Sequence, residues 1–378
     1  MKVLVTGADG FLGKNLSAYL SQNKSITVQK FTRKDSLKIL DSKIKDADFV
    51  FHFAGINRPE NEIEFFQGNS DLTQNLCALI KDSGRKIPIV FSSSVQAGSH
   101  GSYGNSKRLA EQHLLSLRKQ LGNQLHIFRL PNVFGKWCKP NYNSVVATFC
   151  YNAINNIPLE VHEPDRVISL VYIDDLVKQF LRLMEGDVGE KDIDGFEIIE
   201  DQYSLTIGGL SEKIQAFQAS RKRGYVESVG SGLTRALYAT FVSYLHPEDF
   251  SYELKRNEDH RGVFIEVLKT NNSGQISYFT ALPGVTRGGH YHHSKTEKFL
   301  VVKGQAQFRF RNISTEEEFV LDVNDLSATV VETIPGWAHD ITNTGPDEMI
   351  AVLWSNEIFD PINHDTFSYD LLTKQLKK

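Results

Sequence analysis

The chain has 378 residues with a formal net charge of −4, and 40% of its residues are hydrophobic while 23% are charged. This length allows two or three domains, and the composition is ordinary for a globular protein. Because both charge signs are mixed along the chain, nothing indicates nucleic acid or an anionic membrane as a partner. No apolar run approaches the roughly 18 residues that a membrane-spanning helix needs.

The first residues, Met1 to Gly7, predict a strand and a loop rather than a secretion signal. Three cysteines without a Cys-x-x-Cys pair do not make a disulfide framework in so long a chain. Both observations lead us to expect a cytoplasmic protein.

A glycine-rich loop follows this strand, with glycines at Gly7, Gly10 and Gly13, before an apolar pattern that predicts a helix from Asn15 to Leu20. Small residues let the backbone approach a pyrophosphate, and the start of a helix offers free N–H groups. This context resembles the extended, nucleotide-sugar-modifying branch of the short-chain dehydrogenase/reductase superfamily. The resemblance implies a Rossmann-type α/β fold with a doubly wound parallel sheet.

The segment Phe31-Thr-Arg33-Lys34 lies where an acidic residue would accept the 2′-hydroxyl of NAD. A cation at this position suits a 2′-phosphate instead, so we expect NADPH as the cofactor. The alternative is that Arg33 and Lys34 are solvated loop charges.

A predicted strand ends in Ser92, Ser93 and Ser94, and a predicted helix carrying Tyr103 and Lys107 follows. Residues at i and i+4 share a helix face, and an ammonium beside a phenol lowers its pKa, which favours proton transfer near neutrality. The superfamily resemblance assigns proton transfer to Tyr103, ribose binding to Lys107 and carbonyl orientation to Ser94. The residues after the serines depart from the usual superfamily pattern, so the choice among the three stays open.

The same resemblance implies a set of cofactor-binding residues that come from the glycine loop, the second and third strands and the helix after the serines. They are Gly7, Gly10, Phe11, Leu12, Gly13, Arg33, Ala54, Tyr103 and Lys107.

Between His246 and Asn257 the pattern changes from alternating helices and strands to short strands with turns. We therefore expect a reductase domain over residues 1–245 and an all-β domain over residues 253–378.

Within the second part, His290 and His292 are two residues apart in a predicted strand, so they point to the same face. Glu297 begins the next apolar run, and His339 follows a Pro-Gly turn. Three imidazoles and one carboxylate suit Zn²⁺ or another first-row divalent ion, although surface histidines on ordinary strands are the alternative. The spacing and its bracketing glycines resemble the motifs of the cupin superfamily, a small jelly-roll barrel, and imply these four residues as ligands.

Residues 259–266 resemble the opening of the dTDP-4-keto-sugar 3,5-epimerases, which are also cupins. Those enzymes carry a lysine near the enolate oxygen, and this resemblance implies a catalytic role for Lys298. The alternative is a strand lysine with a solvated head. The epimerase base stays open among His290, His293, Lys298 and Tyr291.

Residues 135–145 and 290–302 carry a more specific likeness, to bifunctional enzymes of bacterial capsular polysaccharide synthesis. This resemblance implies that the cupin epimerises C3 of a UDP-2-acetamido-2,6-dideoxy-4-keto-hexose. The reductase would then reduce C4 with NADPH, giving UDP-2-acetamido-2,6-dideoxy-L-talose on the route to UDP-N-acetyl-L-fucosamine. It also implies a homodimer.

Two alternatives from other functional classes remain. A non-enzymatic dinucleotide sensor would need the glycine loop but not a proton donor, so the pair Tyr103 and Lys107 argues against it. A reductase with a purely structural or sugar-binding metal cupin stays open, because four protein ligands can close a zinc site.

Overall fold

The computed structural model describes residues 1–223, 225–254, 257–259, 262–264, 269–270, 274–357, 362–373 and 375–376. It divides into two compact units, residues 1–144 with 168–204 and residues 145–167 with 205–378. Residues 145–167 and 205–245 thus belong with the C-terminal strands in this division. The predicted domains 1–245 and 253–378 stay a prediction.

The helices lie mostly in the first two thirds of the chain. They are α1 (Phe11–Leu20), α2 (Leu37–Asp46), α3 (Ile63–Phe65), α4 (Leu72–Ser83), α5 (Ser102–Leu121), α6 (Val145–Ile154), α7 (Ile173–Met184), α8 (Ile207–Arg223) and α9 (Gly232–Val242). A π-helical stretch, Phe66–Asp71, joins α3 to α4, and short 3-10 helices cover Val95–Gly98 and Pro247–Phe250. No helix in the described part of the chain combines the length and apolar character needed to cross a bilayer.

The strands up to residue 206 are β1 (Lys2–Thr6), β2 (Thr27–Phe31), β3 (Phe49–His52), β4 (Ile89–Ser94), β5 (Leu125–Leu130), β6 (Asn132–Phe134), β7 (Val167–Tyr172) and β8 (Tyr203–Thr206). The later strands begin with β9 (Tyr225–Val226), β10 (Ser251–Glu253), β11 (Asn257–Asp259), β12 (Gly262–Phe264), β13 (Lys269–Thr270), β14 (Gln275–Ala281), β15 (Thr286–Tyr291) and β16 (Glu297–Lys303). They continue with β17 (Gln305–Asn312), β18 (Glu318–Asn324), β19 (Thr329–Thr333), β20 (Trp337–Asn343), β21 (Met349–Ser355), β22 (Phe367–Asp370) and β23 (Gln375–Leu376).

The first unit is built on a parallel sheet of order β2-β1-β3-β4-β5. Its strands are apolar because both faces are covered. On one face Leu4 and Val50 join the core formed with α2, α4 and α5. On the other face the Phe180 ring of α7 contacts Phe51 and Phe128 at centroid distances of 6.1 and 4.9 Å. The predicted doubly wound α/β fold is confirmed.

The strand order reverses between β1 and β3, and ligands of open α/β sheets bind beside the carboxyl ends of strands at such a point. The carboxyl ends of β1 to β4 are Thr6, Phe31, His52 and Ser94. Since these strands are parallel, the segments that follow them lie at one edge of the sheet. This edge is where the predicted cofactor residues belong.

The second unit contains two antiparallel sheets, of order β10-β19-β16-β21-β14 and β18-β17-β20-β15-β22-β23. The ring of Phe299 on β16 contacts that of Phe308 on β17 at 5.5 Å, so the two sheets pack face to face. The expectation that an all-β part follows the Rossmann-type part is confirmed, while membership of the cupin superfamily stays a prediction. Of the segment 259–266, His260, Arg261, Ile265 and Glu266 lie outside the described residues.

Candidate active sites

The glycine loop packs more closely than any side chain at two of its positions would allow. Gly7 has a φ of +67°, and a Cβ atom there would lie 2.7 Å from the nitrogen of Ala54. A Cβ atom at Gly13 would lie 2.2 Å from the carbonyl oxygen of Gly7. Because α1 begins directly after this turn, the N–H groups of Phe11 and Leu12 have no acceptor within the helix. The loop therefore has the form that a pyrophosphate site requires.

The other two predicted cofactor segments follow β2 and β3 at the same edge. Arg33 is exposed in a turn that Asp35 closes by accepting hydrogen bonds from the Thr32 nitrogen at 2.7 Å and hydroxyl at 3.0 Å. Ala54 donates its N–H to the Thr6 hydroxyl at the end of β1, at 3.2 Å. The structure thus brings the predicted cofactor segments together along the carboxyl ends of neighbouring strands.

The three serines that end β4 have different partners. Lys107 donates from its Nζ to the carbonyl oxygen of Ser92 at 2.9 Å. The Ser93 hydroxyl donates to the buried carboxylate of Glu111. The Ser94 hydroxyl accepts the N–H of Gln96 at 3.2 Å. It also hydrogen-bonds the phenol of Tyr103 on α5, the predicted proton donor. Ser94 is therefore the serine that the structure brings to this phenol.

Burial sets the protonation states of this group. It raises the pKa of the Tyr103 phenol, the hydrogen bond with Ser94 opposes that shift, and the nearby Tyr142 adds to it. The expected lowering of this pKa by Lys107 is not what the structure shows. Burial also lowers the pKa of Lys107 to about 8, against the charge of Glu111. The phenol is thus protonated at neutral pH, which suits a proton donor.

Asn69 in the π-helical stretch fixes the loop after Ala54, and the sequence did not single out this role. Its Oδ1 accepts the Ile56 N–H at 2.9 Å, while its Nδ2 lies 2.9 Å from both the Ile56 carbonyl and the Ser106 hydroxyl. The side chain thereby links the loop to α5, which carries the tyrosine and the lysine. An asparagine in an unremarkable helical pattern gives no signal of such a contact.

In the second unit, the four predicted metal ligands converge. His290 on β15 lies directly opposite His339 on β20, next to a β-bulge, and Glu297 begins β16 in the facing sheet. The Oε2 atom of Glu297 lies 3.2, 3.4 and 3.9 Å from the Nε2 atoms of His292, His339 and His290. One ligand atom from each residue lies within 4.8 Å of the others.

Electrostatics favour the protonation states that metal ligands need at three of the four residues, and His292 is the exception. Burial lowers the pKa of His339 to about 4 and also lowers the pKa of His290. Burial would raise the pKa of Glu297, but the charge of His292 and hydrogen bonds from His290 and His292 hold it well below its usual value. Burial likewise opposes protonation of His292, but the charge of Glu297 prevails and raises that pKa.

This donor set fits a divalent metal. Neutral imidazoles and an ionised carboxylate are the forms that bind Zn²⁺. In addition, the buried Nε2 atom of His339 makes no hydrogen bond within the described part of the chain. An ion between the histidines and Glu297 would give this nitrogen a partner.

Three of the four candidate epimerase bases lie outside the metal-ligand group. The buried rings of Tyr291 and His293 contact the Phe367 ring at 5.7 and 5.0 Å. Tyr291 follows His290 directly in β15, so the two side chains point to opposite faces of the strand. Among the four residues proposed from sequence, His290 is the one that lies in the ligand group.

Lys298 is also on the opposite face of its strand, because it follows Glu297 directly in β16. Its ammonium contacts the carboxylate of Glu332 on β19, and this carboxylate also contacts Arg221 of α8. The hydroxyl groups of Tyr238 and Tyr252 complete this buried cluster, each 3.4 Å from one of its charged groups. The structure thus does not bring Lys298 into the metal-ligand group, and its head is not solvated. The geometry gives no support to its predicted catalytic role.

The sequence matches models of two protein families. Residues 3–194 match the NAD dependent epimerase/dehydratase family, and residues 257–367 match the polysaccharide biosynthesis C-terminal domain. The chain belongs to the NAD dependent epimerase/dehydratase family. Nicotinamide cofactor use is a property of this family.

Whole-chain relatives support a narrower likeness. A UDP-2-acetamido-2,6-beta-L-arabino-hexul-4-ose reductase from Pseudomonas aeruginosa is 52% identical over 369 residues, which cover 97% of this chain and 98% of that protein. The crystal structure of the capsular polysaccharide assembling protein CapF from Staphylococcus aureus is 38% identical with a TM-score of 0.68, over 98% of this chain and 100% of that one. The predicted resemblance to enzymes of capsular polysaccharide synthesis is confirmed.

A more distant structure shares the fold of part of the chain. UDP-glucuronic acid 4-epimerase from Bacillus cereus, solved with NAD, is 19% identical with a TM-score of 0.51. The match covers 58% of this chain and 84% of that chain.

Proposed function

We propose that this protein is a bifunctional nucleotide-sugar enzyme. Its antiparallel part would epimerise C3 of a UDP-2-acetamido-2,6-dideoxy-4-keto-hexose, and its Rossmann-type part would reduce the C4 ketone with NADPH. The product would be UDP-2-acetamido-2,6-dideoxy-L-talose. The observation that carries this proposal is the presence of two distinct constellations, a Ser-Tyr-Lys group and a three-histidine carboxylate group. The Pseudomonas aeruginosa relative is named as a reductase of a UDP-linked hexul-4-ose, which agrees with the reductase half.

In the reductase site, Ser94 would hold the C4 oxygen and Tyr103 would donate a proton to it. A buried phenol with a raised pKa keeps its proton until negative charge develops on the substrate oxygen. Lys107, held by the Ser92 carbonyl, would bind the cofactor ribose. Bound NADPH would supply the hydride that C4 receives.

The exposed cation Arg33 supports NADPH rather than NADH, because a 2′-phosphate would find a partner at the end of β2. The turn that carries Arg33 is closed by Asp35, whose Oδ2 atom accepts the N–H and the hydroxyl of Thr32. One oxygen of this acidic side chain is thus engaged by the turn itself, whereas Arg33 is exposed.

In the epimerase site, His290, His292, Glu297 and His339 would hold Zn²⁺ or another divalent ion. A carbonyl at C4 makes the C3–H bond acidic, so that removal and return of this proton on opposite faces inverts the carbon. A divalent ion supplies positive charge that stabilises an enolate oxygen. The His290 side chain keeps 23% of its surface exposed, whereas its three partners are buried, so substrate would approach from the His290 side.

A second candidate is a reductase whose metal site is structural. Three of the four ligands are buried, with 1–5% of their side-chain surface exposed, and four protein ligands can close a zinc site. In this case the antiparallel part would stabilise the protein or bind sugar without exchanging a proton at C3.

Proton exchange at C3 separates the two candidates. The purified protein would receive a UDP-4-keto-6-deoxy-HexNAc in D₂O, with and without NADPH, and NMR would follow C3 and C4. The proposal predicts deuterium at C3 without NADPH and a C4-reduced sugar only after NADPH is added. Tyr103→Phe should stop reduction and keep exchange, while His339→Gln should do the reverse. Reduction without any exchange would favour the structural role of the metal site. Absence of both reactions would contradict the proposed substrate class.

We also propose a homodimer, as the resemblance to the capsular enzymes implies. Light scattering on the purified chain tests it, and a monomer mass at micromolar concentration would contradict it.

A further inference from the structure

The C-terminal segment of the second unit reaches the candidate metal site. Strand β22 pairs with β15, so that Ser368 lies opposite His290 and Phe367 lies opposite Tyr291. This pairing brings Asp365, two residues before β22, beside the turn between His292 and Glu297. A residue more than 60 positions downstream of Glu297 therefore enters the surroundings of the ligands.

The carboxylate of Asp365 binds this turn through four hydrogen bonds. It accepts the N–H groups of His293 at 2.8 Å, Ser294 at 2.6 Å and Lys295 at 2.8 Å. It also accepts the Ser294 hydroxyl at 2.8 Å. Hydrogen bonds to an ionised acceptor are roughly twice as strong as neutral ones, so this carboxylate is well suited to fix the conformation of the turn.

The main chain of the same residue orients one ligand directly. The carbonyl oxygen of Asp365 lies 2.5 Å from Nδ1 of His292. A carbonyl can only accept, so Nδ1 carries a proton and Nε2 is the nitrogen left to face an ion. Nε2 lies 3.2 Å from Oε2 of Glu297, and binding of an ion there would release the proton that these two atoms share. Histidines that bind metals usually donate their second N–H to such an acceptor, which fixes both the tautomer and the ring orientation.

The turn in its fixed conformation also orients the carboxylate ligand. Lys295 places its Nζ atom 2.9 Å from Oε1 of Glu297, while Oε2 of the same carboxylate faces the three histidines. One oxygen is thus occupied by the lysine and the other faces the candidate ion. The turn thereby favours a carboxylate that binds metal through a single oxygen.

We propose that Asp365 is a positioning residue of the metal site. It acts on His292 through its carbonyl and on Glu297 through the turn and Lys295. The inference rests on the metal site of the proposed function and adds to it a residue from the C-terminal segment. Substitution of this residue weakens metal binding without removing a ligand.

The test compares zinc binding by full-length protein and by Asp365→Asn. The change keeps the carbonyl and the shape of the side chain, removes the charge and places an amide N–H₂ group against the turn. Loss of a partner behind the ligands typically costs 10–100-fold in metal affinity, and we expect this loss in competition with a chromophoric chelator. In the Co²⁺-loaded protein the visible spectrum should change as well, because the spectrum reports coordination geometry.

Asp325→Asn is a matched control. Asp325 also closes a turn in the second unit, by accepting the Gly304 N–H at 2.8 Å, and it contacts none of the ligands. Its zinc affinity and Co²⁺ spectrum should equal those of the unchanged protein. If Asp365→Asn acted only through a general loss of stability, the zinc affinity of both variants would fall alike.

The outcomes separate this inference from the proposed metal site. A folded Asp365→Asn protein that binds zinc as tightly as the unchanged protein would overturn the role of Asp365. If Asp365→Asn does not fold, Asp365→Ser removes the charge without adding an amide, and the same loss of affinity is expected. An unchanged protein that binds no stoichiometric zinc or cobalt would overturn the metal site itself, and that result is read without any variant.

Discussion

Replacing Glu332 by Gln tests the buried charge cluster that surrounds Lys298. Glu332 is the anion shared by two cations, Lys298 and Arg221, and its side chain is 4% exposed. The exposures of the two cations are 5% and 14%. The substitution preserves size and removes the charge, so both cations lose their buried counter-ion while solvent remains excluded.

The expected cost is large for an isosteric change. Removing one partner from a buried ion pair destabilises a protein by about 3–5 kcal/mol, because an uncompensated charge stays behind. For a unit of roughly 200 residues, each kcal/mol lowers the melting temperature by about 2–4 °C, so a fall of about 6–20 °C is expected. Burial already lowers the pKa of Arg221 from its usual value, which shows that its environment disfavours the charged form.

Scanning calorimetry would measure the change, with Glu316→Gln as the control. Glu316 also pairs with an arginine of the second unit, Arg311, at 3.0 Å, but its side chain is 77% exposed. Exposed pairs contribute only about 0–1 kcal/mol, so this control should melt within a few degrees of the unchanged protein. If Glu332→Gln melts like the control, solvent or a rearranged side chain compensates the cations and the argument from burial is wrong.

Three further predictions concern the two sites. Ser94→Ala should lower the rate of C4 reduction by about 10²-fold, as loss of a hydrogen-bond donor to the reacting oxygen does, whereas Ser93→Ala should have a much smaller effect. Equal rates for the two variants in a steady-state assay would contradict the choice of Ser94. The burial that lowers the pKa of Lys107 to about 8 means that the ammonium is lost as the pH rises through that value, so reduction should decline there. Lys107→Arg should move this decline to higher pH, and an unchanged profile would argue against the ammonium. Lys298→Met should retain deuterium exchange at C3 within about threefold, since Lys298 contacts Glu332 rather than the ligand group; loss of exchange in a folded variant would restore its catalytic role.

Local patterns were sufficient to predict the parallel sheet and the groups of residues at its edge. The glycine loop, the serine-rich strand end and the Tyr-x-x-x-Lys spacing each depend on neighbours in sequence, and the conformation of a loop or one helix face brings them together. The choice among the serines could not be predicted in this way. It depends on Glu111, whose carboxylate engages Ser93 and lies on another turn of the helix.

The metal-ligand group was also readable, because two of its histidines alternate along one strand and the donor types suit zinc. The residues that surround this group could not be predicted from the sequence. Asp365 is far from the ligands in sequence, and only the pairing of β22 with β15 brings it to the turn. Lys295 lies inside the motif, but its contact with the outer oxygen of Glu297 depends on the conformation of that turn. The side chain of Lys298 was placed by family likeness, whereas alternation along β16 directs it to the opposite face.

Strand β16 carries an anion for the metal site and, in the next position, a cation for the buried cluster behind the sheet. A slip of one residue in its pairing with β19 or β21 would exchange the two faces. The ammonium would then face three histidines, and the carboxylate would face Glu332. One face would then hold two carboxylates together, and the other would lose the only carboxylate among its four ligands, so both shifted registers are disfavoured. The adjacent opposite charges of Glu297 and Lys298 thus select one register of this strand against its nearest competitors, besides serving the groups on either side.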